Sequence, residues 1–380
     1  SWLSATRTFT HNAGLNFYHK MRLHRHGWLT LRANVPLRHE RICLDYERGA
    51  TYHVSRRALF VEPSAQIEWY PKPDDRNGNK MALKFNYSLH GAQPSALYLI
   101  DIRDDTDPLH ISLGNSSLSN TLTHQASAEF SRKWQKRAMA LRVNIGFEQT
   151  KDAIAMEQTY DKATGVTTSH PVNVCGNYLA KNQIDFSLPL DRAQKATLGL
   201  HNSVQYAHSR DLTYAAGTAR STANVVHNVQ TLHQLSLGWR PNNRGSLTVS
   251  AQAAMTQATG NRADFTRLRT WQTDYELEGR LNLPADFSAN ASFGLTSYYG
   301  FGYDQMDRHT LTLNARVDKS LLNGRLNLAI EGANLLANKE KVNCVVNEQG
   351  RIESFRNVLP RYVLFHVSYK LNIAPKKHTK

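Results

Sequence analysis

The sequence predicts an all-β chain whose strands build an antiparallel β-barrel across a membrane. Three observations predict it. Alternation of apolar and polar residues with period 2 runs through almost all of the 380 residues, and the helical period is nearly absent. The apolar stripes often reach about ten residues, the length a tilted strand needs to cross a bilayer. Connections alternate between short turns and longer, less regular segments, the arrangement of a barrel with short turns on one side and long loops on the other.

Composition removes the competing classes. With 13 Phe, 16 Tyr and 6 Trp, the chain has too many aromatics for disorder. No stretch approaches the roughly 18 consecutive apolar residues of a membrane helix. Cys43, Cys175 and Cys344 are odd in number and have no metal-type spacing, which argues against a disulfide scaffold. A mean hydropathy of −0.52 is compatible with a barrel, whose inward face is polar.

The elements follow in chain order. The sequence starts at Ser1 without a visible signal peptide, and Arg7 to Lys20 already reads as strand. Short turns are expected at His24–Gly27, Pro71–Asn79, Arg132–Arg137, Asp191–Lys195, Pro241–Gly245, Pro284–Asp286 and Leu322–Gly324, all rich in Gly, Asn, Asp, Pro or basic residues. Longer loops are expected over about 47–57, 91–119, 150–173, 209–224, 256–267, 298–307 and 337–358. The clearest strand sets Met139, Leu141, Val143, Ile145 and Phe147 against Ala140, Arg142, Asn144, Gly146 and Glu148. A second sets Trp271, Thr273, Tyr275 and Leu277 against Gln272, Asp274, Glu276 and Glu278. A third sets Leu311, Leu313, Ala315 and Val317 against Thr312, Asn314, Arg316 and Asp318. The closing strand sets Val363, Phe365, Val367, Tyr369, Leu371 and Ile373 against Leu364, His366, Ser368, Lys370 and Asn372.

Together these give about fifteen strands over residues 1–373, followed by a basic tail over 374–380. The first and last strands then run in the same direction. Single-chain bacterial barrels have an even number of strands. The expectation is a C-terminal barrel portion, about fifteen strands of a probable 22, with a plug also outside this sequence. Trp28, Trp69, Trp134 and Trp239 lie beside short turns and are expected to form an aromatic girdle.

Several stretches resemble one family. Thr106–Thr121, TDPLHISLGNSSLSNT, resembles the "DP-L-x-x-x-LGNP-x-L" extracellular segment of the outer membrane β-barrel family of Bacteroidetes TonB-dependent receptors. Phe60–Trp69, FVEPSAQIEW, resembles the "F-x-PS" strand before it, and Lys80–Leu89 with Gln93–Pro94 fits the next position. Gly332–Lys339, GANLLANK, resembles the "NLF-N" strand end, and Arg361–Ile373 resembles the closing strand. Asn115-Ser116 stands where the family has Asn-Pro, and the chain ends in a basic tail rather than an aromatic residue. The resemblance implies a bacterial outer-membrane receptor that takes up a nutrient ligand. Its implied partners are outer-membrane lipid and lipopolysaccharide, the TonB complex through a plug domain, and a surface lipoprotein.

Catalysis has no support: G-x-S-x-G, H-E-x-x-H, Walker A and G-x-G-x-x-G are all missing from the sequence, so no enzyme activity and no cofactor are expected. Ligand contacts are expected from the polar strand face, at Arg142, Glu148, Asp274, Glu276 and Arg316. Loop histidines His110, His170 and His227 are the other candidates, because outer loops meet a ligand first. His24 and His26 flank a turn without the further ligands a metal needs. The formal net charge of +15 is spread over strands and turns and comes with no nucleic-acid motif, so it is read as attraction for lipid phosphates and anionic ligands. The alternative functions are a structural or adhesive barrel without transport, and a soluble β-rich binding module.

Overall fold

The computed structural model describes residues 3–24, 26–48, 50–72, 78–161, 163–213, 222–261, 267–301, 307–337, 342–347, 350–355 and 361–371. The strands in chain order begin with β1 (Leu3–Leu23), β2 (Gly27–Arg48), β3 (Ala50–Val61), β4 (Ser64–Tyr70) and β5 (Lys80–Ala92). After a single 3-10 turn, η1 (Ala96–Leu99), come β6 (Arg103–Asp107), β7 (His110–Leu113), β8 (Thr121–Trp134) and β9 (Met139–Lys151). Next are β10 (Ala153–Tyr160), β11 (Thr167–Val174), β12 (Asn177–Pro189), β13 (Ala196–Thr213), β14 (Thr222–Asn242) and β15 (Gly245–Gly260). The chain continues with β16 (Leu268–Leu283), β17 (Phe287–Tyr299), β18 (Arg308–Leu321), β19 (Leu326–Ala333), β20 (Val342–Asn347), β21 (Gly350–Phe355) and β22 (Tyr362–Tyr369).

Sixteen of these form one antiparallel wall: β1 to β5, β8, β9, β12 to β19 and β22. They occupy fifteen lanes, because β3 and β4 are two halves of one strand. Leu37–Arg48 of β2 pairs with β3, and Trp28–Asn34 pairs with β4. The break falls at Glu62-Pro63, where proline has no N–H to give the ladder. The flanking peptides are satisfied instead by Glu62 N–H to Pro36 O at 3.0 Å and Leu89 N–H to Pro63 O at 3.0 Å. Among the described residues, β1 pairs only with β2 and β22 only with β19, so these are the two edges of the wall.

Register fixes the faces. Directly opposed residues share a face, and faces alternate along each strand. One face carries Leu200, Leu235, Val249, Leu277, Phe293 and Val317, all exposed although apolar. The other carries Gln183, Gln234, Asp274, Glu276, Ser292 and Arg316. Apolar out and polar in is the pattern of a wall whose solvent is lipid outside and water inside. Trp69, Trp134 and Trp239 lie on the outward face near the short turns. Trp28 does not: it opposes Tyr70 and shares the inward face with Arg32 and Glu68, so the expected four-Trp row has three members. Proximity to a turn sets the depth of a residue but not its face.

The long connections differ from the expected irregular loops. Segment 47–57 is mostly strand, the outer ends of β2 and β3. Segment 91–119 holds η1 and the β6/β7 hairpin, and 150–173 holds β10 and β11. These add to one another outside the wall: β7 pairs parallel with β11, β11 antiparallel with β10, and β10 parallel with the outer end of β13. Beneath this lobe lies a core of Leu44, Tyr46, Ala96 and Ile100, with Ile42, Tyr52, Val54 and Ile102 packed against it. Within 337–358, β20 and β21 form a separate hairpin. The basic tail and residues 372–373 of the closing strand lie outside the described residues.

Candidate functional site

The inward face holds the five polar candidates, each in its own neighbourhood. Arg142 on β9 opposes Asp185 on β12. Asp185 accepts from Gln183 at 2.9 Å and pairs with His201 Nδ1 at 2.6 Å. Together with Lys80 and Lys133 they border a cavity of about 820 Å³ near the short turns. Lys80, Arg132, Lys133 and Arg142 against one carboxylate give this cavity a field that favours anions. Glu148, further out on β9, accepts from Gln125 Nε2 at 3.2 Å. It borders a second cavity of about 460 Å³ with Asn86, Asn144, Lys181 and Gln183. These amides offer both donors and acceptors, which suits a ligand rich in polar groups.

Asp274 on β16 accepts from Gln252 at 3.2 Å, Gln272 at 2.9 Å and Thr296 at 2.7 Å. Glu276 follows two residues on, exposed on the same face. Arg316 on β18 donates to Asp318 at 2.8 Å and to Glu331 at 2.9 Å, and Glu331 also meets His366 at 3.1 Å. A guanidinium already held by two carboxylates contributes shape and wall stiffness more than a free charge.

The three histidines do not converge, and all three lie on strands rather than in loops. His110 on β7 meets Asp107 at 2.8 Å, with both side chains exposed. Asp107 also accepts the Leu109 N–H at 3.0 Å. That backbone bond, with the imidazole next, holds its carboxyl below the ordinary range. His170 on β11 faces Glu157 at 3.7 Å. His110 opposes Thr167, three residues from His170, an odd offset that puts the two on opposite faces. His227 on β14 accepts from or donates to the Tyr206 hydroxyl at 2.7 Å on the outward face. It belongs to a run of rings at the outer rim, with His208 stacked on Tyr178 at 4.8 Å and edge-on to His227 at 5.1 Å. Among the described residues no three His, Cys, Asp or Glu side chains come together as a metal site.

Sequence reasoning missed two sets of bonds at the outer end of the wall: one joins β2 to the β3/β4 junction and β5, the other fastens the lobe. Arg38 donates to both oxygens of Glu62, at 3.2 and 2.8 Å, and contacts Glu40 and the Gly91 carbonyl. Glu62 also accepts the Gly91 N–H at 2.9 Å and meets His90 at 2.9 Å. Gln93 Nε2 donates to the Glu40 carbonyl at 3.1 Å. Arg38 lies over the Phe60 ring at 4.5 Å, and a Cβ on Gly91 would run into that ring. Further along, Arg56 donates to the Leu118 carbonyl at 2.6 Å and to Asn120 at 3.0 Å. Asn115 Nδ2 donates to the Pro171 carbonyl at 2.8 Å, tying the two long connections together. The signal was in reach: Glu62 lies inside the "F-x-PS" stretch and Asn115 inside the "LGN" stretch.

The sequence profile of the outer membrane protein beta-barrel family matches residues 35–369, and the chain belongs to that family. It is therefore a protein of the bacterial outer membrane, which agrees with the lipid-facing wall. No curated protein matches the chain. Among solved structures it is similar to the copper transporter OprC, at 9% identity and a TM-score of 0.31, over 96% of this chain and 81% of that one. A likeness of that size bears on neither ligand nor mechanism.

Proposed function

We propose that this outer-membrane barrel is the barrel portion of a TonB-dependent receptor of the Bacteroidetes type, and that it takes up a polar nutrient ligand. The observation that carries the reading is the lobe. The segment resembling the family's "DP-L…LGN" stretch is built into a small sheet over the wall's outer end. Arg56 on β3 fastens the connection that carries that sheet, through the Leu118 carbonyl and Asn120, and Gln93 ties the start of that connection to Glu40 of β2. Rigid recognition surfaces set on a scaffold are where outer loops meet ligand. The inward amides and cations extend the binding surface downward.

In this reading the chain binds and orients its ligand and catalyses nothing. Release is driven through a plug by energy from TonB. Lipopolysaccharide surrounds the outward face, and a surface lipoprotein covers the lobe. The test compares growth of the source bacterium, with and without the full-length protein, on single carbon, iron and vitamin sources. A growth defect on one nutrient, reproduced when TonB is removed, supports the reading. Unchanged growth on every source, with the protein present and folded, leaves a structural or adhesive barrel.

A further inference from the structure

On the wall strands from β4 to β22, the outward face between the two aromatic rows is apolar with one interruption. On β4, β5, β8, β9, β12 to β19 and β22, the register leaves only three Asn, Gln, His or charged side chains in the middle of this band: Asn182, Asn202 and His233. They sit on consecutive strands, β12, β13 and β14. Asn202 directly opposes His233, and Asn182 is the diagonal neighbour of Asn202. Asn202 is six residues from Ala196, which opposes Trp239 of the lower row, and six from His208 of the upper row. At about 3.3 Å per residue and a tilt near 40°, each step covers about 15 Å of depth, which puts the pair at the bilayer midplane.

A polar pair there is costly unless every donor and acceptor is met, because acyl chains meet none. Asn202 Nδ2 lies 2.7 Å from His233 Nδ1. That bond uses one group from each side chain. It leaves the Asn202 carbonyl oxygen as an acceptor, and the second Asn202 Nδ2–H and His233 Nε2–H as donors. Flipping the amide and shifting the tautomer exchanges the roles, leaving the Asn202 amide N–H groups as donors and His233 Nε2 as the acceptor. His233 is exposed.

A patch with a free donor on one residue beside a free acceptor on the other is complementary to its own two-fold image, in which each residue i meets j and j meets i. We propose that β12 to β14 form a dimer interface in the membrane, where His233 of each copy bonds to Asn202 of the other. Around the pair the outward face carries Ile184, Val204, Leu200 and Leu235 together with the small Ala180, Ala251 and Ala253, and Ala253 directly opposes His233. Small side chains let two walls approach closely enough for the bonds to form. No carboxylate or cation lies in the middle of this surface to repel a second copy. The inference rests on the outer-membrane placement and not on any transport role.

The test uses the full-length protein in intact outer membranes, with Cys43, Cys175 and Cys344 replaced by serine. A single Ala253→Cys variant treated with a short bis-maleimide should give a dimer of twice the subunit mass. Ala291→Cys, an outward alanine on β17, should not. Adding Asn202→Leu with His233→Leu should lower the dimer yield about tenfold, the change expected from two symmetry-related membrane hydrogen bonds. Heat-modifiable gel mobility checks that the barrel is folded. If the leucine pair does not fold, Ala253→Trp, which only blocks approach, must abolish the dimer by ultracentrifugation in detergent. Undiminished cross-linking in folded leucine variants would overturn the proposal. So would absence of the Ala253→Cys dimer, or capture of a partner of different mass.

Discussion

The lower and outer halves of β2 carry the same alternation but bury opposite faces. In the lower half, Leu29, Leu31, Val35 and Leu37 point outward with Arg32 and Asn34 inward. In the outer half, Ile42, Leu44 and Tyr46 point inward while Arg41, Cys43 and Asp45 point outward. Leu37 is 43% exposed and Leu44 is fully buried, only seven residues apart. The solvent changes between them. In the wall, lipid lies outside and water inside, so apolar residues face out. In the lobe, water lies outside and the η1 segment fills the inside, so apolar residues face in as in a soluble sheet. The strand leaves the bilayer where its apolar parity switches.

That contrast yields predictions of decreasing size. Leu44→Ala should cost about 3–5 kcal/mol of lobe stability, because it empties a fully enclosed site. Limited trypsinolysis of refolded protein should then cut within 93–120 faster, while insertion into vesicles is unchanged. Leu277→Arg, on the outward wall, should cost about 2–4 kcal/mol near the midplane and leave the lobe intact. Urea titration of vesicle-inserted protein reads that loss. If Leu44→Ala impairs insertion, or Leu277→Arg opens the lobe, the two halves are not independent in the way drawn here.

A smaller effect tests the joint of β2, β4 and β5 from which the lobe connection leaves. Glu62→Gln keeps the shape and weakens the bonds to Arg38 and His90, whose partner side chain is largely buried. A loss of about 1–3 kcal/mol is expected, again as faster cleavage of 93–120 at constant insertion. The smallest effect is at the lobe surface. The Asp107 carboxyl titrates below its ordinary range, so its bonds to Leu109 and His110 hold above the unfolded value near 4. They are lost as pH falls through the lower, folded value. The protection factor of the Leu109 amide, its exchange relative to the intrinsic rate at each pH, should therefore fall on acidification in the wild-type protein and stay constant in Asp107→Asn.

Residues of the wall were legible because two solvents enforce the alternation on every strand. Met139 to Phe147, Trp271 to Leu277 and Leu311 to Val317 all face out, and Arg142, Asp274 and Arg316 all face in. The lobe was read as loops because its strands are short and its apolar residues switch parity or vanish. His110, His170 and His227 looked alike in sequence, yet they stand on three strands with three separate partners. Trp28 was misplaced for a related reason: a turn fixes depth, and only the register fixes the face.

By itself the sequence determined the order of the wall strands and which face of each meets lipid. Those follow from local periodicity and turn chemistry, which act over a few neighbouring residues. Tertiary structure alone decided which long connections pair with one another and which charges meet at the outer end of the wall. It also decided that Asn202 and His233 meet in the middle of an apolar face. Arg38 and Glu62 are 24 residues apart, and Asn202 and His233 are 31. Only the pairing of distant strands brings such residues within bonding distance, and no local pattern encodes that pairing.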